Sequence, residues 1–447
     1  MYTIPHPLAY YFYPLLDILS TDEEIESFKN SIIQKNYGSN KKSLIYIHVP
    51  FCNDLCKFCP FHVKAKQEKN IHEKYIDALV KEIITISRVK YLSDRVYDAV
   101  YFGGGSPSVL TIDLIKLIFE TLSKYLVLSE SCEISFEGEP KGLSQIEQLE
   151  CLKEYKVSRI SFGLQTYDQK LRDLFNIDAT LDNISLVIEN ARKLQFEEIN
   201  ADFMYDLPGQ TISTLMYDLE RVLRDQFDSV DYYNLHYYAF PKKMRLDFEN
   251  DKLLAKPSDT MHFALFNEID SFLQINGYKN VADQIYSKFD KPSEFYKILW
   301  GGGDGVHDAE TVGIGASSRG YLDGQSYMNI TNTNEYIRYF TKNNSLPILR
   351  VSSKLVDPKN RGLVHFPKFF EIPLGMISSN KKISGIFSKW EAEGYVGKND
   401  RKWFMTQYGK RWVNNMMRDI FEPDQLKIAD RSLNELIKPS RSRTGTF

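Results

Sequence analysis

From about residue 43 to residue 238 the chain repeats one plan. A short apolar run rich in β-branched and aromatic residues is followed by a polar or glycine-bearing turn, then by a longer stretch with apolar residues at helical spacing. The apolar runs, 44–49, 99–102, 133–136, 157–162, 199–204 and 230–236, predict strands. The stretches 71–88, 112–125, 143–155, 184–194 and 212–227 between them predict amphipathic helices. Six such strands alternating with helices require right-handed crossovers and a parallel sheet covered by helices, and that sheet curls naturally into a partial (β/α)6 barrel of the α/β class. Ligands of such folds bind where the loops gather, at the carboxyl ends of the strands.

The segment 282–329 breaks the pattern. It is rich in glycine, with Trp300-Gly301-Gly302-Gly303-Asp304-Gly305 and Gly313-Ile314-Gly315-Ala316, and predicts loops with short strands that serve as a connector or as a wall of the active site. From about residue 353 helical periodicity returns, with a hairpin expected near 395–405, which suits a small C-terminal helical domain. The chain therefore divides into an N-terminal segment (1–42), a core (43–240), a glycine-rich extension and substrate wall (241–345) and the C-terminal domain (346–447). A basic, serine-rich tail at 438–443 is expected to fray.

Composition narrows the function. Among 447 residues, 56 Lys+Arg oppose 59 Asp+Glu for a net charge of -3, which removes the electrostatic case for a protein that mainly grips nucleic acid or an anionic membrane. No apolar run approaches the roughly 20 residues of a membrane helix, and the first 14 residues are aromatic and uncharged rather than signal-like. The expectation is a cytoplasmic protein with no membrane and no nucleic-acid partner.

Five cysteines in so long a chain are no disulfide framework. Cys132 and Cys151 stand alone and read as core thiols, whereas Cys52-Asn53-Asp54-Leu55-Cys56-Lys57-Phe58-Cys59 puts three on one loop after the first strand. Structural zinc takes four closed ligands, and iron–sulfur cubanes are usually held by four thiolates, so three at this spacing leave one iron open. An open iron can chelate the amino and carboxylate groups of a small molecule and pass it one electron. A zinc knot with His62, or three unrelated thiols, are the alternatives.

Tyr46-Ile47-His48-Val49-Pro50-Phe51-Cys52 through Phe61 resembles the radical S-adenosylmethionine superfamily, in the branch resembling oxygen-independent coproporphyrinogen III oxidase. Tyr101-Phe102-Gly103-Gly104-Gly105-Ser106-Pro107-Ser108 is similar to its second-strand motif, Arg159-Ile160-Ser161-Phe162-Gly163-Leu164-Gln165-Thr166 to its fourth, and Asp202-Phe203-Met204-Tyr205-Asp206-Leu207-Pro208-Gly209-Gln210-Thr211 to its fifth. More diffusely, Gly394-Tyr395 and Thr406-Gln407-Tyr408-Gly409 resemble the family's C-terminal domain.

The resemblance implies that Cys52, Cys56 and Cys59 hold a [4Fe-4S] cluster whose fourth iron takes S-adenosylmethionine, with Tyr46 beside it. Reductive cleavage then yields a 5′-deoxyadenosyl radical, at the expense of a low-potential donor such as flavodoxin or ferredoxin. It further implies that Gly103, Gly104 and Gly105, with Ser106, let backbone N–H groups approach the methionyl region. Glu137, Gln165 and Asp202 would offer hydrogen bonds to ribose and methionyl groups. One departure stands out: Ile177 occupies the place where the family commonly carries an Arg, so carboxylate anchoring is expected from elsewhere, with Arg172 the candidate.

Within this branch the flanks must decide the reaction. Pro7-Leu8-Ala9-Tyr10-Tyr11-Phe12-Tyr13-Pro14 and the Phe before the last cysteine resemble methyltransferases that use two S-adenosylmethionine molecules. The leading expectation is radical methyl transfer to an unsaturated carbon of a heteroaromatic or tetrapyrrole substrate. His236, Tyr237, Tyr238, Glu310 and Tyr327 would line the second pocket, with Tyr46, His236 and Glu310 as catalytic candidates. The alternatives are coproporphyrinogen-type decarboxylation, haem ring opening, and a haem carrier, for which Glu294-Phe295-Tyr296-Lys297-Ile298-Leu299-Trp300 keeps Tyr and Trp of a family motif.

Overall fold

The computed structural model describes residues 1–16, 20–38, 41–61, 63–301, 307–353, 355–377 and 380–437. Ser43–Val49 (β1), Val96–Gly104 (β2), Val127–Gly138 (β3), Arg159–Gln165 (β4), Glu198–Tyr205 (β5) and Ser229–Asn234 (β6) lie side by side in that order, and all are parallel. Their outward residues, such as Ile45, Ile47 and Val49, are buried under Lys69–Ile86 (α1), Ile112–Tyr125 (α2), Ile146–Glu154, Leu181–Lys193 and Ile212–Asp225. This is why the runs are apolar almost without interruption. Several strand ends differ from the sequence expectation, those of β3 and β6 among them. β3 begins earlier, because Val127 and Leu128 pair with Val96 and Tyr97 below a bulge; β6 stops at Asn234, because the Leu235 amide turns to the Tyr205 carbonyl (2.9 Å) and His236 starts a single helical turn.

The glycine-rich segment is sheet rather than plain connector. Glu310–Ile314 pairs parallel to β1 from the other side, with Tyr46 opposite Gly313, and Arg319–Leu322, Gln325–Asn329 and Ile348–Val351 continue antiparallel. At the far edge Ile285–Ser287 and Lys279–Ala282 add two antiparallel strands to β6, completing twelve. The sheet thus runs to Val351, past the expected division at residue 345.

A feature that the periodicity hid is the helix Glu294–Trp300 (α3), which lies inside the curved sheet. Phe295, Ile298, Leu299 and Trp300 pack with Leu44, Ala99 and Tyr101, and the Phe295 ring stacks on Tyr101 at 3.8 Å. Its first amides, of Glu294 and Phe295, donate to the Glu133 carboxylate at 2.9 and 3.3 Å, an acid at a helix N-terminus. The lower lumen is therefore filled by α3.

The C-terminal part is mixed rather than purely helical. Glu371–Pro373, Lys402–Met405 and Val396–Lys398 form a three-stranded sheet, packed with Pro358–Phe369, Lys381–Ala392 and Val413–Ile420 around Phe387, Trp390 and Met416. The N-terminal segment joins this core: Tyr10 and Tyr13 pack on Phe421 at 5.0 and 5.2 Å, and the Tyr2 hydroxyl donates to Asp419 at 2.6 Å. Among the described residues no helix is long and apolar enough to cross a membrane. The tail at 438–443 lies outside the described residues.

Glu310 sits at the closed end of the barrel, opposite Ser43, not in the upper cleft. Its buried carboxylate accepts from Arg95 (2.7 Å), Lys41 (3.0 Å) and Tyr91 (2.8 and 3.0 Å). Burial alone would raise its pKa, but Arg95 and Lys41 outweigh burial and leave it below the usual value. A depressed carboxyl stabilises the fold above its unfolded pKa and loses that contribution as pH falls through the folded one. Arg95→Met, which strands the buried carboxylate, is expected to cost about 3–5 kcal/mol in denaturant titration. Glu310→Gln should flatten the acid limb of the stability profile while leaving S-adenosylmethionine cleavage per folded chain unchanged. Lost turnover at unaltered stability would return Glu310 to the site.

Candidate functional site

The cysteine loop leaves β1 at Val49 and is tied down by backbone. The amides of Gly105 and Ser106 donate to the carbonyls of Val49 (2.8 Å) and Phe51 (2.6 Å), and Lys57 N–H donates to Phe175 O at 2.9 Å. Asn176 donates to Leu55 O (3.0 Å), Lys57 Nζ to Leu174 O (2.8 Å), and Asn53 to the Glu139 carboxylate. Cys52, Cys56 and Cys59 form no disulfide and are half-buried, whereas the lone Cys151 is buried. Burial pushes the Cys52 thiol up, and the neighbouring Cys59, Glu139 and Cys56 push it further, so the three thiols sense one another. A thiolate set this mutually repulsive asks for a strongly cationic centre, and coordination deprotonates thiols outright.

Three cysteines on one short loop suit a [4Fe-4S] cluster, in which each thiolate takes its own iron and one corner stays open. His62 lies outside the described residues.

Gly103, Gly104, Gly105 and Ser106 stand beside this loop, but the space their small size leaves is filled by protein. A Cβ on Gly105 would lie 2.6 Å from Phe51 O, and one on Gly104, at φ +105, 2.6 Å from the His48 ring. Ser106 Oγ accepts from the Glu139 amide at 2.6 Å. These residues let the loop's root cross the end of β2 and position Glu139; the expected approach of their amides to a ligand is not what the Gly105 and Ser106 amides do.

Below the loop, alternate residues of the strands make a polar floor over α3. Tyr46 donates to or accepts from His48 Nδ1 at 3.3 Å and stacks near Tyr101 (6.0 Å), whose hydroxyl donates to Glu137 at 2.8 Å. Asp202 accepts from Asn200 at 3.0 Å, and Asp231 accepts from Tyr296 (2.6 Å) and Tyr233 (3.1 Å). Burial raises the pKa values of Glu137, Asp202 and Asp231, and mutual repulsion raises them further; Arg159 opposes the rise. The cluster is thus held toward its neutral, hydrogen-bond-donating forms. Gln165 closes β4 at φ 72, a left-handed conformation that a non-glycine residue adopts at a cost.

Above the floor, His236 stacks on Tyr238 at 5.1 Å, and burial brings its pKa down to about 4, so it is neutral near pH 7. Tyr237 donates to the Asp206 carbonyl at 2.8 Å. Asp206, at φ 63, holds His262 Nδ1 at 2.6 Å and keeps a buried, unpartnered Oδ1. From the N-terminal segment Tyr11 reaches over the cleft, 5.3 Å from the Lys368 ammonium, which pairs with Asp283 at 3.1 Å. Asp283, Asp231 and Asp202 all raise the Tyr11 phenol beyond what burial does.

Three expected site residues lie elsewhere. Arg172 is fully buried and donates to the carbonyls of Leu164 (2.7 Å), Thr166 (3.0 Å) and Ala179, so its charge is spent bracing the turn after β4. Glu310 is at the closed end. Tyr327 is core, its hydroxyl accepting from the Gly313 amide at 2.9 Å. Ile177 packs in an apolar cluster with Phe58 and Phe175. Asp231, Tyr233 and His262 belong to the cleft but were unmarked by any motif, and Tyr296, noted only in the haem-carrier resemblance, joins them; the alternation of Asp231 and Tyr233 along β6 was the available signal.

Comparison with known proteins agrees with this geometry. Residues 46–222 match the Radical SAM superfamily, whose members bind a [4Fe-4S] cluster and S-adenosylmethionine. The chain is 27% identical over 294 residues to the haem chaperone HemW of Bacillus subtilis (65% of this chain, 74% of that one). It is 24% identical over 402 residues to the anaerobilin synthase of Escherichia coli O157:H7 (89% and 88%). In structure it superposes on the coproporphyrinogen III oxidase of Escherichia coli with a TM-score of 0.78, covering 92% of this chain and 96% of that one at 19% identity, a likeness of fold.

Replacing Cys52, Cys56 or Cys59 singly by Ala should bring iron, and with it S-adenosylmethionine cleavage, to background in anaerobically prepared protein. The same change at Cys132 or Cys151 should leave the iron content unaltered. Iron retained in any of the first three would count against the open-corner assignment.

Proposed function

We propose that this chain, whose residues 46–222 belong to the Radical SAM superfamily, is an enzyme of anaerobic tetrapyrrole chemistry that transfers a methyl group to an unsaturated ring carbon. The observation that carries the reading is the cleft itself. It has a floor of carboxyls whose pKa values burial raises, under a triplet of thiols, with His236, Tyr238 and Tyr11 above it. The whole-length relatives with names pointing to porphyrin or bilin chemistry supply the substrate class.

Cys52, Cys56 and Cys59 would hold the cluster, and Glu137, Gln165 and Asp202 the S-adenosylmethionine. When bound, these groups would supply one-electron radical chemistry toward S-adenosylmethionine. The chain's own part is placement and exclusion. α3 keeps water from entering beneath, Tyr46 and Tyr101 wall the floor, and Glu137 with Asp202 offers hydrogen bonds to hydroxyl and ammonium groups without adding negative charge. Neutral His236 beside Tyr238 offers a flat face to a flat π-system. Propionate-by-propionate decarboxylation would call for cations at several substituents; Arg159 is paired with Glu198 at 2.9 Å and Lys368 with Asp283 at 3.1 Å. The haem-carrier reading is weakened because Tyr296 and Trp300, 7% and 2% exposed, lie inside the barrel on α3.

The test is reduced, anaerobic turnover of methyl-deuterated S-adenosylmethionine with candidate tetrapyrroles. Deuterium in 5′-deoxyadenosine and a labelled methyl in the product are expected. Carbon dioxide release with unlabelled product would favour decarboxylation, and tight haem binding without cleavage would favour a carrier.

A further inference from the structure

One cation at the cleft has no counter-charge. Arg319 starts the strand Arg319–Leu322, and its backbone folds over Gly313, where a Cβ would collide with it. Gly313 is the register partner of Tyr46, so Arg319 lies across the bare glycine from the tyrosine on the floor. The guanidinium holds down the Tyr46 phenol, which burial and Glu137 push up, and this places Arg319 and Glu137 on either side of Tyr46.

Among the described residues the Arg319 guanidinium has neither an ion pair nor a hydrogen bond. The other deeply placed arginines are all engaged: Arg95 by Glu310, Arg159 by Glu198, Arg172 and Arg361 by backbone carbonyls. Burial pushes Arg319 down to about 10, Arg350 adds to the effect, and only Tyr46 opposes it. Arg319 is half-buried at the start of its strand, and its guanidinium fork matches a carboxylate in two parallel hydrogen bonds.

We propose that Arg319 is the carboxylate anchor of the cleft, pairing with a carboxylate that arrives on a ligand. The carboxylate comes from the methionyl head of S-adenosylmethionine or from a propionate of the tetrapyrrole. A methionyl head and a propionate each present a carboxylate to such a fork. Ile177, in its apolar cluster, and Arg172, bound to carbonyls, leave this role to Arg319. The proposal rests on the cleft being the ligand site but not on the reaction.

The test compares the anaerobically reconstituted protein with Arg319→Met, which keeps the apolar stem, and Arg319→Lys, which keeps the charge. S-adenosylhomocysteine binding is followed by calorimetry, and binding of coproporphyrin III and its tetramethyl ester by fluorescence quenching. In one arm Arg319→Met should weaken binding about tenfold or more, with partial recovery in Arg319→Lys. Loss confined to S-adenosylhomocysteine assigns the carboxylate to the cofactor. Loss for the free porphyrin but not its ester assigns it to the substrate. Arg319→Met should melt no lower than the parent. Unchanged affinity in both arms, equal loss for acid and ester, or a lowered melting temperature would overturn the assignment. If no porphyrin binds the parent while the S-adenosylhomocysteine arm responds, the tetrapyrrole reading fails and the anchor stands.

Discussion

The structure depends on a backbone crossing. Where β1 ends, the chain must pass over the end of β2 to present its three thiols above the barrel, and the Gly105 and Ser106 amides hold it there by Val49 and Phe51. Any side chain at Gly105 would occupy the position of the Phe51 carbonyl. The glycines thus serve the cluster at one remove, by letting its loop be anchored on rigid strands. With the loop's far side pinned to the turn around Phe175 and Asn176, three thiols that repel as thiolates are kept half-buried at one site. The helix that leads into that turn carries the buried Arg172, which ties it to the Leu164 and Thr166 carbonyls of the turn after β4.

The second constraint is the plug. Because α3 fills the lower lumen, the acids above it sit on an apolar base rather than on water, and burial dominates their ionisation. Three carboxyls this close in a dry site cannot all ionise, so Glu137, Asp202 and Asp231 act as one coupled group. The plug also decides what the glycine-rich segment is for. Glu310–Ile314 joins β1 directly, and the Arg95–Glu310 pair locks that junction at the closed end, leaving the open end free for chemistry.

What could be read from the sequence follows the range of the interactions involved. β1 to β6 were legible because burial on both faces leaves an apolar signature in each run, and the cysteine loop because its spacing is local. α3 was not: seven residues are too few for a helical period, and its neighbours are glycines. The fates of Glu310, Arg172 and Tyr327 depended on partners that no spacing announces. Arg95 is 215 residues from Glu310, and the carbonyls that hold Arg172 belong to a turn whose shape only the fold reveals. Glu137, Gln165 and Asp202 were expected near one rim; Gln165 ends β4, Glu137 stands next to the end of β3, and Asp202 lies within β5.

The closing of the cleft couples both ends of the chain. Tyr10 and Tyr13 are anchored in the C-terminal core, whereas Tyr11 between them is turned out of it, 40% exposed, to stand over Lys368 and the floor acids. Lys368 itself lies between the Tyr11 and Trp300 rings, so the roof and the plug share one cation. A roof held this way cannot leave without disturbing the C-terminal core, which argues for a cleft that admits its ligand past side chains rather than by swinging a domain. In such an enclosure carboxyls whose pKa values burial raises, and a guanidinium with no ion pair among the described residues, are both unfavourable for folding alone. Each makes physical sense only as half of an interaction whose other half is brought in by a ligand.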